Sequence, residues 1–234
     1  MPSESRTRFA WPVFAMAGLL VVIALVVMPF DVPAALSIRT ERLPSDLSRL
    51  LDLSELWGHG LGAFLVSVTV WLMMPQQRQG LFRLVAGCVL AGMLTNLIKL
   101  FIGRWRPGFF WYQDNLLSTW VATEVIPASG LNTEHASQSF PSGHSASALA
   151  LAYGMTMIAP RGAPIYWMLA CCACVQRVSF NAHWPSDVLI GAAIGLGASA
   201  LVFALPFPSR KWSKHHSPSA CASLPSTSHS PTAH

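Results

Sequence analysis

The apolar positions of this chain fall in long, nearly unbroken blocks separated by short polar connections. The blocks occupy roughly residues 10–30, 58–74, 81–102, 143–159, 163–178 and 187–205. Each approaches the about 20 residues that carry a helix across a hydrocarbon layer about 30 Å thick. The pattern predicts an all-α, polytopic membrane protein built as a bundle of six transmembrane helices. A short cytoplasmic N-terminus (1–9) precedes the membrane domain (10–206). The tail (207–234) is rich in Ser and Pro and lacks apolar periodicity, which predicts a disordered cytoplasmic segment. The first block follows Arg6 and Arg8 as a signal peptide would. It is longer than the usual 7–15-residue apolar core and runs into MPFD rather than a small-x-small cleavage site, so a retained helix is expected.

Residues 31–57 break the block pattern. They hold Asp31, Glu41, Asp46, Asp52 and Glu55 with leucines at helical spacing, and Pro44-Ser45-Asp46 is a helix start. An amphipathic segment lying on the bilayer surface is predicted there.

Composition agrees with a lipid solvent: 53% of residues are hydrophobic and 11% charged, against about 25% charged in soluble chains. The net charge of +5 arises from scattered Lys and Arg at the edges of apolar blocks, which sets topology rather than binding nucleic acid. Arg6, Arg8, Arg78, Arg83, Arg161, Arg210, Lys211 and Lys214 fall on one side of a six-span layout. That side is expected to be the cytoplasm of a cell membrane, a bacterial inner membrane, with both termini on it. Of the five cysteines, Cys88, Cys171, Cys172 and Cys174 lie inside apolar blocks and Cys221 in the tail. They read as packing residues, not as a disulfide framework or a metal site.

Three polar stretches lie at the outer ends of different spans: Lys99 to Arg106-Pro107, Pro141-Ser142-Gly143-His144, and Arg177 to His183 to Asp187. Lys99 and Arg106 are two helical turns apart, so a helix continuing to Pro107 would aim both at one place. Together with Arg177 they form a cationic group beside otherwise uncharged spans, which a phosphate would relieve. Arg104, taken alone, reads as a cation snorkelling to the interface. Gly143 admits close backbone approach, the start of the fourth span offers free N–H groups, and Ser142 adds a hydroxyl. His183 and Asp187 stand at i and i+4, so the carboxylate can fix the imidazole tautomer and leave the other nitrogen as a nucleophile. His144 can serve as the general acid. A zinc site on His144, His183 and Asp187 is the rival reading, opposed by the three cations. No cofactor or metal is expected.

These blocks resemble the signature of the type 2 phosphatidic acid phosphatase (PAP2) family, which also includes vanadium-dependent haloperoxidases: KxxxxxxRP, PSGH and SRxxxxxHxxxD. The resemblance implies a PAP2/haloperoxidase-like core and phosphate-binding roles for Lys99, Arg106, Ser142, Gly143 and Arg177. It also implies His183 as a nucleophile forming a phosphohistidine, Asp187 as its orienting partner and His144 as general acid. The family's Ser before the third-block Arg is Gln176 here, a residue that can still donate to phosphate. Membrane members act on lipid phosphates and pyrophosphates, so metal-independent hydrolysis of such a lipid at the periplasmic face is expected. The same site would permit phosphoryl transfer to a second lipid; a lipid-phosphate binder or transporter needs no His–Asp pair. Phe109, Phe110, Trp111, Tyr112 and Trp120 are candidates for an interfacial platform beside the site. Oligomeric state is not encoded legibly.

Overall fold

The computed structural model describes residues 3–40, 44–109, 119–120 and 135–206. Among these residues the chain is helical, with isolated bridges at Arg104 to Trp120 and Gln138 and no strand. Eight α-helices follow one another: α1 (Ser3–Val27), α2 (Asp31–Thr40), α3 (Ser45–Gly58), α4 (Gly60–Met73), α5 (Arg78–Phe101), α6 (Gly143–Ile158), α7 (Ala163–Ser179) and α8 (Pro185–Ala204). The apolar blocks thus become helices close to their expected limits. The sequence tail, Cys221 and the span-flanking Arg210, Lys211 and Lys214 lie outside the described residues.

Helices α6 and α8 form the centre, packed on each other and on α1, α5 and α7. Their contact is made by small side chains: Ala146, Ala150, Ala192 and Ala200 are buried. At Gly191 and Gly195 a Cβ would stand 2.2 Å from the Ser142 carbonyl oxygen and 2.1 Å from that of Ala146. Without water there is no hydrophobic drive between helices, so close backbone approach through small residues supplies the packing energy. The outward faces carry large apolar side chains, among them Trp11, Leu25 and Val26 on α1 and Phe82, Met93 and Phe101 on α5. Such a belt would be a liability in water and matches a hydrocarbon surround.

Among the described residues, three segments are long and apolar enough to cross a membrane: Trp11–Ile38, Pro75–Phe101 and Pro185–Ala204. The α3–α4 pair, bent by 67°, makes a fourth if it is one broken span. The six crossings expected from the blocks are therefore not all met by length and composition, because α4, α6 and α7 have only 14, 16 and 17 residues. At 1.5 Å per residue they reach about 21–26 Å.

Residues 45–58 also depart from expectation. Helix α3 begins at Ser45 as predicted, but it packs against α6 and α7 instead of lying free on the surface. Leu51, Ser54 and Gly58 are buried, and Leu50, Leu53 and Leu56 face outward. The leucines that suggested a surface-bound face are thus the outer side of a helix whose other side covers the polar end of the bundle.

At the far end, Arg83 is buried and donates to the Phe203 and Leu205 carbonyl oxygens at 2.8 and 3.0 Å. It satisfies carbonyls left open at the end of α8 and opposes the negative end of that helix dipole.

Candidate active site

Helices α5 and α7 end, and α6 and α8 begin, at one pole of the bundle, and there the three polar stretches meet. Helix α5 stops at Phe101, close to the expected limit at 102, and does not continue to Pro107; residues 102–106 run extended. Lys99 and Arg106 therefore do not share a helical face. They reach the site from separate pieces of backbone: Lys99 from the last turn of α5, Arg106 from the strap that follows. The Arg104 backbone exchanges hydrogen bonds with the 137–139 segment, which fixes that strap.

Arg106 donates through Nε to the His135 carbonyl oxygen at 3.1 Å and through Nη1 to that of Ala182 at 3.4 Å. Burial, and then the nearby Arg177 charge, push the Arg106 guanidinium below its ordinary value. Crowded cations of this kind are relieved by an anion. Gly143 opens α6 with Ser142 as its N-cap: Ser142 Oγ accepts from the Ser145 N–H at 3.3 Å and from the Ser145 hydroxyl at 2.9 Å. A Cβ on Gly143 would lie 3.9 Å from Lys99 Nζ and 3.8 Å from Thr95 Oγ1. The open side of the glycine faces the lysine, so the α6 N-terminus and one cation converge on the same space.

The 180–184 turn is tied to the end of α7, since the Ala182 and His183 N–H groups both donate to the Arg177 carbonyl. Asn181 takes the left-handed conformation at φ 52° that lets the chain reverse there, a region asparagine enters more readily than other side-chain-bearing residues. His183 is buried, and its Nδ1 lies 2.7 Å from the Ser139 carbonyl oxygen. A carbonyl only accepts, so Nδ1 carries the proton and the lone pair of the neutral ring is on Nε2. Burial, partly opposed by Asp187, lowers the imidazole to about 4.

Asp187 stands 3.9 Å from His183 Nδ1, in ion-pair range but beyond a hydrogen bond. Its Oδ1 accepts from Arg104 Nη1 at 2.5 Å, and its Oδ2 from the Ser139 hydroxyl at 2.5 Å and the Trp184 N–H at 3.2 Å. The ring is thus held by the Ser139 carbonyl, and the carboxylate holds Ser139 and the first turn of α8.

Arg104 does not snorkel to the interface. It is fully buried, pairs with Asp187 and with Asp31 at 2.7 Å, and donates to Ser186 Oγ at 2.9 Å. Trp120 and Trp184 lie against its guanidinium, 4.6 and 5.3 Å from the ring centroids. Asp31 in turn accepts from the Ser186 N–H and hydroxyl. Trp120 therefore belongs to this interior. Of the other platform candidates, Phe109 is exposed, and Phe110, Trp111 and Tyr112 lie outside the described residues.

On the other flank, His144 and His59 have ring centroids 5.7 Å apart. Glu55 of α3 accepts from Arg177 Nη2 at 2.7 Å and from Gln176 Nε2 at 3.2 Å. Gln176 Oε1 accepts from Arg177 Nε at 2.5 Å. Among the described residues no three of His, Cys, Asp and Glu are grouped to share a metal ion.

Asp31, Glu55, Arg104 and Ser139 escaped sequence reasoning. Asp31 carried a usable signal, a carboxylate at the mouth of an apolar helix, which is costly unless it has a partner. Glu55 and Ser139 carried none beyond lying near motif residues in space.

A helical membrane bundle whose pole brings His144 and His183 together with Lys99, Arg106 and Arg177 is of a kind suited to handling phosphoryl groups. Residues 80–211 match the PAP2 superfamily, and the chain belongs to it. Lipid A 1-phosphatase of Rhizobium etli is 31% identical over 192 residues, covering 74% of this chain and 75% of that one. Decaprenylphosphoryl-5-phosphoribose phosphatase of Mycobacterium tuberculosis is 28% identical over 160 residues, covering 68% and 80%. Among solved structures, Aquifex aeolicus LpxE aligns with a TM-score of 0.58 at 20% identity, over 75% of this chain and 96% of that one. A PAP2-type phosphatidylglycerolphosphate phosphatase from Bacillus subtilis aligns at 0.54 and 20% identity, over 82% and 93%. The relatives bear out the family resemblance and the expectation of a phosphatase.

Proposed function

We propose that this chain hydrolyses a phosphate ester of a membrane lipid through a phosphohistidine on His183. The observation that carries the reading is the Nδ1 contact with the Ser139 carbonyl, because it leaves the Nε2 lone pair as the attacking group. Nε2 attacks phosphorus while Lys99, Arg106, Arg177 and the N–H groups at the start of α6 stabilise charge on the non-bridging oxygens. His144 gives its proton to the departing lipid oxygen. In the second step His144 takes a proton from water, which attacks the phosphohistidine and releases phosphate. Asp187 supports the imidazolium character that develops at His183. The similarity to a lipid A 1-phosphatase and to a decaprenylphosphoryl-5-phosphoribose phosphatase favours a substrate of the lipid A or polyprenyl-linked phosphosugar kind.

The placement of Arg78 and Arg161 at the opposite pole, with Arg6, Arg8 and the basic tail assigned to it from sequence, supports an active site on the periplasmic face.

The test is phosphate release by the detergent-purified protein in EDTA, from phosphatidic acid, phosphatidylglycerophosphate, undecaprenyl pyrophosphate and lipid A, with His183→Ala alongside. Release that vanishes in the variant supports the reading. Release that persists in a properly inserted variant would sink it.

A further inference from the structure

Glu55 is a carboxylate placed inside a site built to attract anions. It reaches there from α3, and Gly58, one turn on, packs so tightly on α6 that a Cβ would lie 2.8 Å from the His144 carbonyl oxygen. Its Oε1 lies 2.7 Å from Arg177 Nη2 and 3.6 Å from His144 Nε2. That nitrogen is buried and has no hydrogen-bond partner. Gln176 fixes the carboxylate by donating to Oε2 at 3.2 Å. A serine in place of Gln176 would be too short to make this bridge.

We propose that Glu55 is a specificity-determining residue that selects lipid phosphomonoesters over lipid diphosphates. The inference rests on the hydrolase reading and on His144 as the acid. Two observations carry it. First, Glu55 pairs with Arg177 and so withdraws one of the site's cations from the substrate, which favours a phosphomonoester, with about two negative charges near neutral pH, over a lipid diphosphate, which adds a further one.

Second, His144 Nε2, the nitrogen that gives its proton to the leaving oxygen in this reading, makes no hydrogen bond and has Glu55 Oε1 3.6 Å away. When a monoester is cleaved the leaving group is a lipid alkoxide that takes the proton and departs neutral. When the terminal phosphate of a diphosphate is cleaved the leaving group is a lipid phosphate. Its anionic oxygens then meet the carboxylate, and like charges a few ångströms apart in a partly desolvated site change rates by about 10- to 100-fold. A sugar leaving group would instead offer hydroxyl donors to Glu55.

The experiment compares kcat/KM for farnesyl phosphate and farnesyl diphosphate, which share one tail, in the full chain and in Glu55→Gln. The wild type is expected to favour the monophosphate, and Glu55→Gln to shrink that preference by about tenfold or more. Gln176→Ser, which keeps the charge and frees the carboxylate, is expected to shrink it by a smaller factor and carries the test if Glu55→Gln does not fold. A merely structural role lowers both rates and leaves their ratio alone. A ratio within twofold of wild type in the variants, or a wild type that favours the diphosphate, overturns the proposal while hydrolysis itself stands. A wild type that releases phosphate from neither substrate takes down the hydrolase reading, and this inference with it.

Discussion

Arg104 Nη1 lies 2.5 Å from Asp187 Oδ1, and neither side chain has any exposed surface. The pair is completed by Asp31, whose carboxylate takes the other arm of the guanidinium. One cation thus ties the end of the first apolar block, the strap after α5 and the first turn of α8 into a single buried unit.

Breaking such a unit by removing its only cation leaves two carboxylates facing each other out of water. Loss of one partner of a buried pair costs about 3–5 kcal/mol. Arg104→Met is therefore expected to lower the thermal midpoint in detergent by roughly 10 °C, and Asp31→Asn, which keeps Arg104 paired with Asp187, by clearly less. Differential scanning of the three proteins decides it. A midpoint for Arg104→Met equal to wild type would mean that the pair does not hold these segments together.

How the imidazole is oriented separates Ser139 from Asp187. A backbone carbonyl holds His183 Nδ1, and no replacement at position 139 other than one that shifts the backbone removes it. Ser139→Ala loses the hydroxyl's bond to Asp187 and its longer contact with His183 Nδ1 at 3.5 Å; the first is a hydrogen bond to a charged group and about 1.5–3 kcal/mol. Its kcat is expected to fall by about 10- to 100-fold. Asp187→Asn disturbs Arg104, Ser139 and the Trp184 N–H together, and a fall of about 10³–10⁴-fold is expected by analogy with the Asp of serine protease triads. Equal losses in both variants would show that the carboxylate acts on the ring only through Ser139.

The motif spacing made legible the polar residues that the fold gathers at one pole, because each set lies within a single stretch of chain: Lys99 to Arg106, Pro141 to His144, Arg177 to Asp187. Helix positions were legible for the same local reason. What was hidden is whatever the tertiary fold supplies from afar. Arg104 looks like any interfacial cation until Asp31, 73 residues earlier, is brought beside it. Glu55 sits on a helix whose leucine spacing suggested a membrane surface, and only packing against α6 and α7 turns its acidic face toward Arg177. The end of the third span was legible to within a residue; that the helix would not run on to Pro107 was not, because pairing of the Arg104 backbone with residues 137–139 draws the strap into extended form.

The His183 ring should titrate far from an ordinary histidine. Burial disfavours the imidazolium and places the ring at about 4, so it stays neutral, and able to attack, at every pH above that value. Because the folded value lies below that of the unfolded chain, the unfolded state binds more protons between them. Stability from this group is therefore full above about 6.5 and declines as pH falls toward 4. NMR of protein labelled with ¹⁵N-histidine, assigned by comparison with His183→Ala, reads the midpoint directly. A midpoint near 6.5 would mean that the ring is solvated and that the acidic limb of activity belongs elsewhere.

Two glycines on α8 allow the placement of the PSGH segment to be tested without touching a reactive group. A Cβ at Gly191 would stand 2.2 Å from the Ser142 carbonyl oxygen, and backbone cannot yield as a flexible side chain does. Gly191→Ala should therefore push the start of α6, and with it Ser142, Gly143 and His144, away from His183. A displacement of about 1 Å in a phosphoryl-transfer site can cost about 100-fold in rate, so kcat should drop by roughly that factor. Gly197 has nothing within 4 Å of its Cβ position. There Gly197→Ala only removes backbone freedom from the unfolded chain and should leave kcat unchanged while raising stability by about 0.5–1 kcal/mol. Phosphate release and thermal melting of both variants provide the check. Loss of activity at Gly191 but not at Gly197 ties catalysis to the α6–α8 approach; equal activity in both would mean that the two helices part without moving the site.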